Sequence, residues 1–199
     1  MQNNCILTQN SWNEGAPAGY TANAALYDQL VRDGDLGTAG AQPVTVDFSA
    51  GNSGTAGLTQ PHEAKNIVSV ANSYNWRSGT GVPGSGNIAT VSGSSSRGPC
   101  EDGRICPYIT AVGTNVVSAA DSRGGSCSTP HPPGSIIHGV CSGTSMSTPQ
   151  VSGATALVEQ WWRAHNTGAS PSPAMRKAML INGARDLGTA DIPNSVEGL

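Results

Sequence analysis

The segment that most restricts this chain lies at 151–158. Val151-Ser152-Gly153-Ala154-Thr155-Ala156-Leu157-Val158 is small or apolar on every face. A helix of that composition has no polar side to offer water, so the pattern predicts a helix buried inside a domain. Pro149 is expected in its first turns, where a missing N–H costs little. Just ahead stands Gly143-Thr144-Ser145-Met146-Ser147-Thr148-Pro149. Ser145 therefore sits at the mouth of the helix. There it could be an ordinary N-cap serine, or a nucleophile held in place with helix-end N–H groups aimed at a developing anion. Gly143, Ser145 and Ser147 do not complete Gly-x-Ser-x-Gly, which argues against an α/β-hydrolase elbow.

Upstream, Cys5 to Trp12 reads as a buried strand. Thr21 can cap a helix whose apolar face is Ala24, Tyr27, Leu30 and Val31, stopped by Gly34 and Gly37. Val44 to Ser49 is a short strand running into Ala50-Gly51-Asn52-Ser53-Gly54, and Ile67 to Ala71 is another. Strand, helix, strand, strand at this spacing predicts a parallel α/β sheet. Residues 73–104 read as surface loops, Ile109–Ala111 and Val116–Ala119 as short strands, and 121–135 as a Pro/Gly loop. A last helix is expected after Ser172, with Pro173 in its first turn and Met175, Ala178 and Met179 facing inward.

The 199 residues suit one domain with a sizeable core. Net charge is −3, pI is near 5.7 and no basic run exists, which argues against nucleic-acid partners. No apolar stretch approaches the roughly 18 residues of a membrane span. The five cysteines (Cys5, Cys100, Cys106, Cys127 and Cys141) form no Cys-x-x-Cys pair, so zinc and thioredoxin-type roles are disfavoured. Cys100 and Cys106 flank a turn, and Cys127 and Cys141 bracket a loop. Two disulfides would fit an oxidising, extracytoplasmic compartment, with reduced thiols as the alternative.

The string Gly143 to Gly153 resembles the nucleophile motif of the subtilisin-like serine peptidases (subtilases, peptidase S8), with Ser147 for the common alanine and Gln150 for a histidine or valine. Asn52, 93 residues earlier and in isolation an ordinary turn asparagine, stands in a segment similar to the family's Ala-Gly-Asn. Pro61 to Val70, Ser95-Ser96-Arg97-Gly98-Pro99 with Asp102-Gly103-Arg104-Ile105, and Asn10-Ser11-Trp12 are similar to further family segments. With Lys177-Ala178 and Asp186-Leu187-Gly188 added, the pattern most resembles the large subtilases that carry a C-terminal β-sandwich. Tyr108 and Val112 replace a family acid and proline, and Asn13 replaces a cleft-lining glycine.

The resemblance implies a three-layer α/β fold with a mainly parallel sheet. It implies Ser145 as acylated nucleophile, Asn52 as oxyanion donor, and substrate-binding positions at Ser11, Trp12, Asn13, Ser49, Ala50 and Gly51. The expected activity is serine endopeptidase cleavage of peptides or proteins, with no catalytic cofactor; structural calcium is not readable. In this family the histidine base and orienting acid precede the asparagine, in Asp-x-Gly and His-Gly-Thr-His contexts. Neither stands here, and His62, His131, His138 and His165 lie in other surroundings. Residues 1–199 are therefore expected to be an incomplete catalytic domain, truncated at both ends, whose partner is a missing N-terminal half carrying the aspartate and histidine. The alternative is a non-catalytic binding or structural module that keeps the fold.

Overall fold

A computed structural model describes residues 5–15, 19–75, 87–120, 127, 129–187 and 198. A four-stranded parallel sheet runs in the order β1 (Leu7–Asn10), β2 (Thr45–Ser49), β3 (Val68–Ser73), β4 (Ile109–Val112). A second, antiparallel sheet places β7 (His138–Cys141) between β5 (Val116–Ala119) and β6 (Thr129–Pro130). Helix α1 (Ala22–Arg32) covers one face of the parallel sheet, and α2 (Thr144–His165) with α3 (Pro173–Asn182) covers the other.

The alternation of β2 explains the layering. Val44, just before the strand, joins Val46 and Phe48 in a core with Ala24 and Val31 of α1, Ala64 and Ile67. The intervening side chains, Thr45 and Asp47, turn to the opposite face, where hydroxyls and an arginine meet them. Farther along the sheet that second face is apolar: Val68 and Val70 pack with Val151, Leu180, Ile109 and Ala111.

Several expectations need correction. The Cys5–Trp12 strand is half-buried rather than buried, because among the described residues β1 has a neighbour on one side only. Helix α2 is not buried all round: Val151, Ser152, Thr155 and Glu159 face the sheet, whereas Leu157 is 66% and Trp161 52% exposed. Pro149 is its sixth residue, beyond the turn where proline is free of cost. Helix α3 buries Pro173, Arg176 and Leu180, while Met175 and Ala178 are exposed and Met179 is half-buried. Its rotation follows Arg176, whose guanidinium donates to buried Glu159 (Nη2–Oε2 2.7 Å) and to Thr45 Oγ1 (3.0 Å). Thr21 precedes α1 but gives no side-chain cap; its hydroxyl binds Gln60 Oε1 instead. Within 73–104, Val91, Ser92, Ser95 and Ser96 are buried against the ends of β2 and β3 rather than lying at the surface. Thr129–Pro130 of the expected Pro/Gly loop instead form β6, held by pairing with β7, while residues 76–86, 121–126 and 128 lie outside the described residues.

Cys100 bonds to Cys106 and Cys127 to Cys141, each closing a loop, and Cys5 is free and exposed. Among the described residues no helix is long and apolar enough to cross a membrane, and no cluster of three potential metal ligands occurs.

Candidate active site

Two elements meet end to end at the carboxyl edge of the parallel sheet. Strand β2 runs out into Ala50-Gly51-Asn52, and α2 begins at Thr144. The Asn52 side chain caps the new helix: its Oδ1 accepts from the Thr144 N–H (2.9 Å) and from Thr144 Oγ1 (3.1 Å). With two donors on Oδ1, the amide orientation is fixed by its partners, and exposed Asn52 keeps its Nδ2 donor for another acceptor. Gly51 N–H donates to Thr144 Oγ1 (3.2 Å), so three bonds tie the end of β2 to the mouth of α2.

Gly143 makes this approach possible. Its φ is +144°, and a Cβ there would stand 3.2 Å from Asn52 Nδ2. That backbone region is strained for any other residue.

Ser145 is the second residue of α2 and is half-buried. Proline at 149 removes the N–H that would have bonded the carbonyl four residues back, which is that of Ser145. Ser11 Oγ donates to that carbonyl instead, at 3.1 Å. Ser11 and Ser145, the expected substrate-binding residue and the expected nucleophile, are thus joined through a carbonyl freed by a proline, a link that the spacing of the motif does not show. No acidic residue lies in the first turn of α2, so its positive end is not neutralised there.

The other expected substrate positions surround this junction. Trp12 is 43% exposed, and its ring packs edge-on against Phe48. Asn13 is exposed and folds back to accept from Gly15 N–H (2.9 Å), so its side chain is occupied locally. Ser49, Ala50 and Gly51 are buried.

The histidines go elsewhere. His62 is wholly buried, with Nδ1 3.1 Å from Ala50 O and Nε2 3.1 Å from Trp12 O. His138 is exposed at the start of β7, paired in register with Ala119, and His165 stacks on Trp161 at the far end of α2. Sequence reasoning missed His62. Its only signal was a bulky titratable residue between Pro61 and Glu63, in a segment noted for its resemblance alone.

A parallel α/β sheet, a serine in the first turn of a helix, and an asparagine amide anchored beside it make up this arrangement. The match with the Subtilase family model extends over residues 2–198, and the chain belongs to that family. Among solved structures it is similar to a mutant of the protease domain of PatA (18% identity, TM-score 0.63, 97% of this chain and 55% of that one). It is also similar to a protease from Pseudoalteromonas arctica (16%, 0.59, 96% and 48%), and to Sphericase (25%, 0.53, 90% and 49%). The chain spans about half the length of these proteases. No curated protein matches it.

Proposed function

We propose that this chain supplies the nucleophile and oxyanion halves of a serine endopeptidase site. Ser145 Oγ attacks the scissile carbonyl and passes its proton to a histidine base. The carbonyl oxygen becomes an anion held by Asn52 Nδ2 and the positive end of α2. The base then protonates the leaving amine, and water releases the acyl group from Ser145. No cofactor is required. The substrate backbone lies along Ser11-Trp12-Asn13, with Ser49-Ala50-Gly51 as the opposing wall. Because the side chains of 49 and 50 are buried, that wall acts through its backbone. Histidine and aspartate come from residues outside these 199, in an N-terminal half that pairs with this chain. The two disulfides fit secretion into an oxidising compartment.

The observation that carries this proposal is the double anchoring of Asn52 Oδ1 by Thr144, which leaves Nδ2 as a fixed donor beside the first turn holding Ser145. A second reading, a non-catalytic module of the same fold, is favoured by His62, whose two ring nitrogens face the Ala50 and Trp12 carbonyls rather than the Ser145 hydroxyl.

The experiment compares the complete protein with residues 1–199 alone on a peptide library. The complete protein should cleave peptides, and Ser145→Ala should abolish turnover. Asn52→Ala should lower kcat by about 10²–10³, the magnitude known for losing one such donor in subtilisin. The isolated chain should show only residual catalysis, about 10³–10⁴ over water. Robust turnover by the isolated chain would mean that a base lies within it. A complete protein inert to every peptide would favour the non-catalytic module.

A further inference from the structure

His62 is the one wholly buried histidine among the described residues, and no step of the peptidase mechanism uses it. Its ring lies between two backbone segments that converge on the site. Nε2 meets Trp12 O, on the segment leaving β1, and Nδ1 meets Ala50 O, on the segment leaving β2; both distances are 3.1 Å. Phe48 flanks the ring at 5.5 Å between centroids. Both partners are acceptors. A neutral imidazole has a single N–H and can satisfy only one of them, leaving a nitrogen lone pair facing the other carbonyl. An imidazolium donates to both.

The connection continues beyond the ring. Ala50 C=O and Gly51 N–H belong to one peptide group. Gly51 N–H donates to Thr144 Oγ1, and Thr144 Oγ1 donates to Asn52 Oδ1. A proton added at His62 polarises the Ala50–Gly51 peptide, and a chain of hydrogen bonds passes that polarisation along. We propose that His62 is a positioning residue of the substrate cleft: when doubly protonated it clasps the Trp12 and Ala50 walls together and stiffens the hydrogen-bond chain that orients the Asn52 donor. This proposal rests on the peptidase reading for its consequence, though not for its geometry.

Burial holds the His62 pKa below its usual value, and the two carbonyls and the Glu14 carboxylate partly oppose that. Glu63, next in the chain, directs its carboxylate to the Gly19 and Glu101 N–H groups. Tyr27 of α1 packs on Trp12 and Phe48, and burial raises its pKa, so it stays neutral. At neutral pH His62 is therefore neutral and one wall is unclasped. Its lowered pKa means that the unfolded chain binds the proton more readily than the folded one. Acidification below about 6.5 thus costs stability while it closes the clasp.

The test uses the complete protein. Without substrate, the His62 ring nitrogens and the backbone amides of Asn13 and Gly51 are followed by NMR from pH 8 to 4, with the Asn52 side-chain amide. All should move with one midpoint below about 6.5. In parallel, KM for a peptide substrate should fall about three- to tenfold through that midpoint, as a neutral contact becomes a charge-assisted bond. His62→Gln should lack that step in KM, while the ionisations seen in kcat keep their positions. Amides that ignore His62, a His62 that stays neutral down to acid unfolding, or identical KM profiles in the two proteins would each overturn the proposal. The wild-type NMR arm decides it even where His62→Gln fails to fold. If the amides follow His62 but no peptide is cleaved, the clasp stands and the peptidase reading falls. If peptides are cleaved but the amides ignore His62, the reverse holds.

Discussion

Met146 follows Ser145, the proposed nucleophile, directly and is half-buried. Its N–H binds Gly143 O, and its carbonyl accepts from the Gln150 amide, so the backbone around it is firmly held. Oxidation would add a polar oxygen and bulk beside Ser145 without breaking either bond. In the complete protein, peroxide should lower turnover while the fold persists. Peptide mapping of all four methionines against activity checks this; full oxidation of Met146 with unchanged turnover would remove it from the border of the reacting centre. At this scale the junction of Asn52 with the mouth of α2 was anticipated from the long, specific string at Gly143–Gly153 together with the family order that puts Asn52 upstream of it. The Ser11–Ser145 bond and the His62 bridge were not, since each joins residues distant in the chain (134 positions for Ser11–Ser145, 50 and 12 for the two contacts of His62) through main-chain carbonyls, whose partners no side-chain pattern encodes.

Between elements, the contact of β2 with α2 holds a buried acid. Asp47 is wholly buried, Ser152 and Thr155 donate to its Oδ2, and its Oδ1 has no hydrogen-bond partner. Burial pushes its pKa up to about 6. The folded chain therefore binds a proton that the unfolded chain has already released between about pH 4 and 6. Stability from this group is full at the acid end and is lost as pH rises through that window. Asp47→Asn should flatten this slope and stabilise the complete protein at pH 7 by about 1–3 kcal/mol, as urea melts at pH 5 and pH 7 would show. An unchanged slope would place the titration elsewhere.

The packing of α3 on α2 rests on the opposite arrangement, a paired charge. Arg176→Met alone removes the close partner of Glu159 Oε2, leaving its carboxylate with Ser170 Oγ (2.6 Å) and the longer contact to Arg163 (3.9 Å), and should cost about 1–3 kcal/mol. Adding Glu159→Leu should recover most of that loss, and thermal melts of the single and double variants measure the difference. Both elements were visible in the sequence, as was the start of α3 at Pro173. Their rotations were not, because small side chains on every face of α2 leave the phase to be chosen by Asp47 and Arg176.

In the molecule as a whole, β1 ends the parallel sheet among the described residues, with a row of backbone groups facing no strand. Leu157 and Trp161 stand exposed on α2. Open sheet edges and apolar faces promote association. Residues 1–199 expressed alone should self-associate, and co-expression with an N-terminal half should give a soluble complex; light scattering decides between them. A monodisperse, cooperatively melting monomer of the chain alone would contradict this. The sequence by itself determined the order of β1 to β5 and of the three helices, though not β6 or β7, and it placed Asn52 just past the end of β2 and Ser145 at the start of α2. Those features depend on periodicity and on short contiguous strings. Tertiary structure alone decided that one stripe of α2 is uncovered, and that His62 and Ser11 reach across the site. These depend on which distant surfaces pack together, and that choice is made by burial and hydrogen-bond satisfaction across the whole fold.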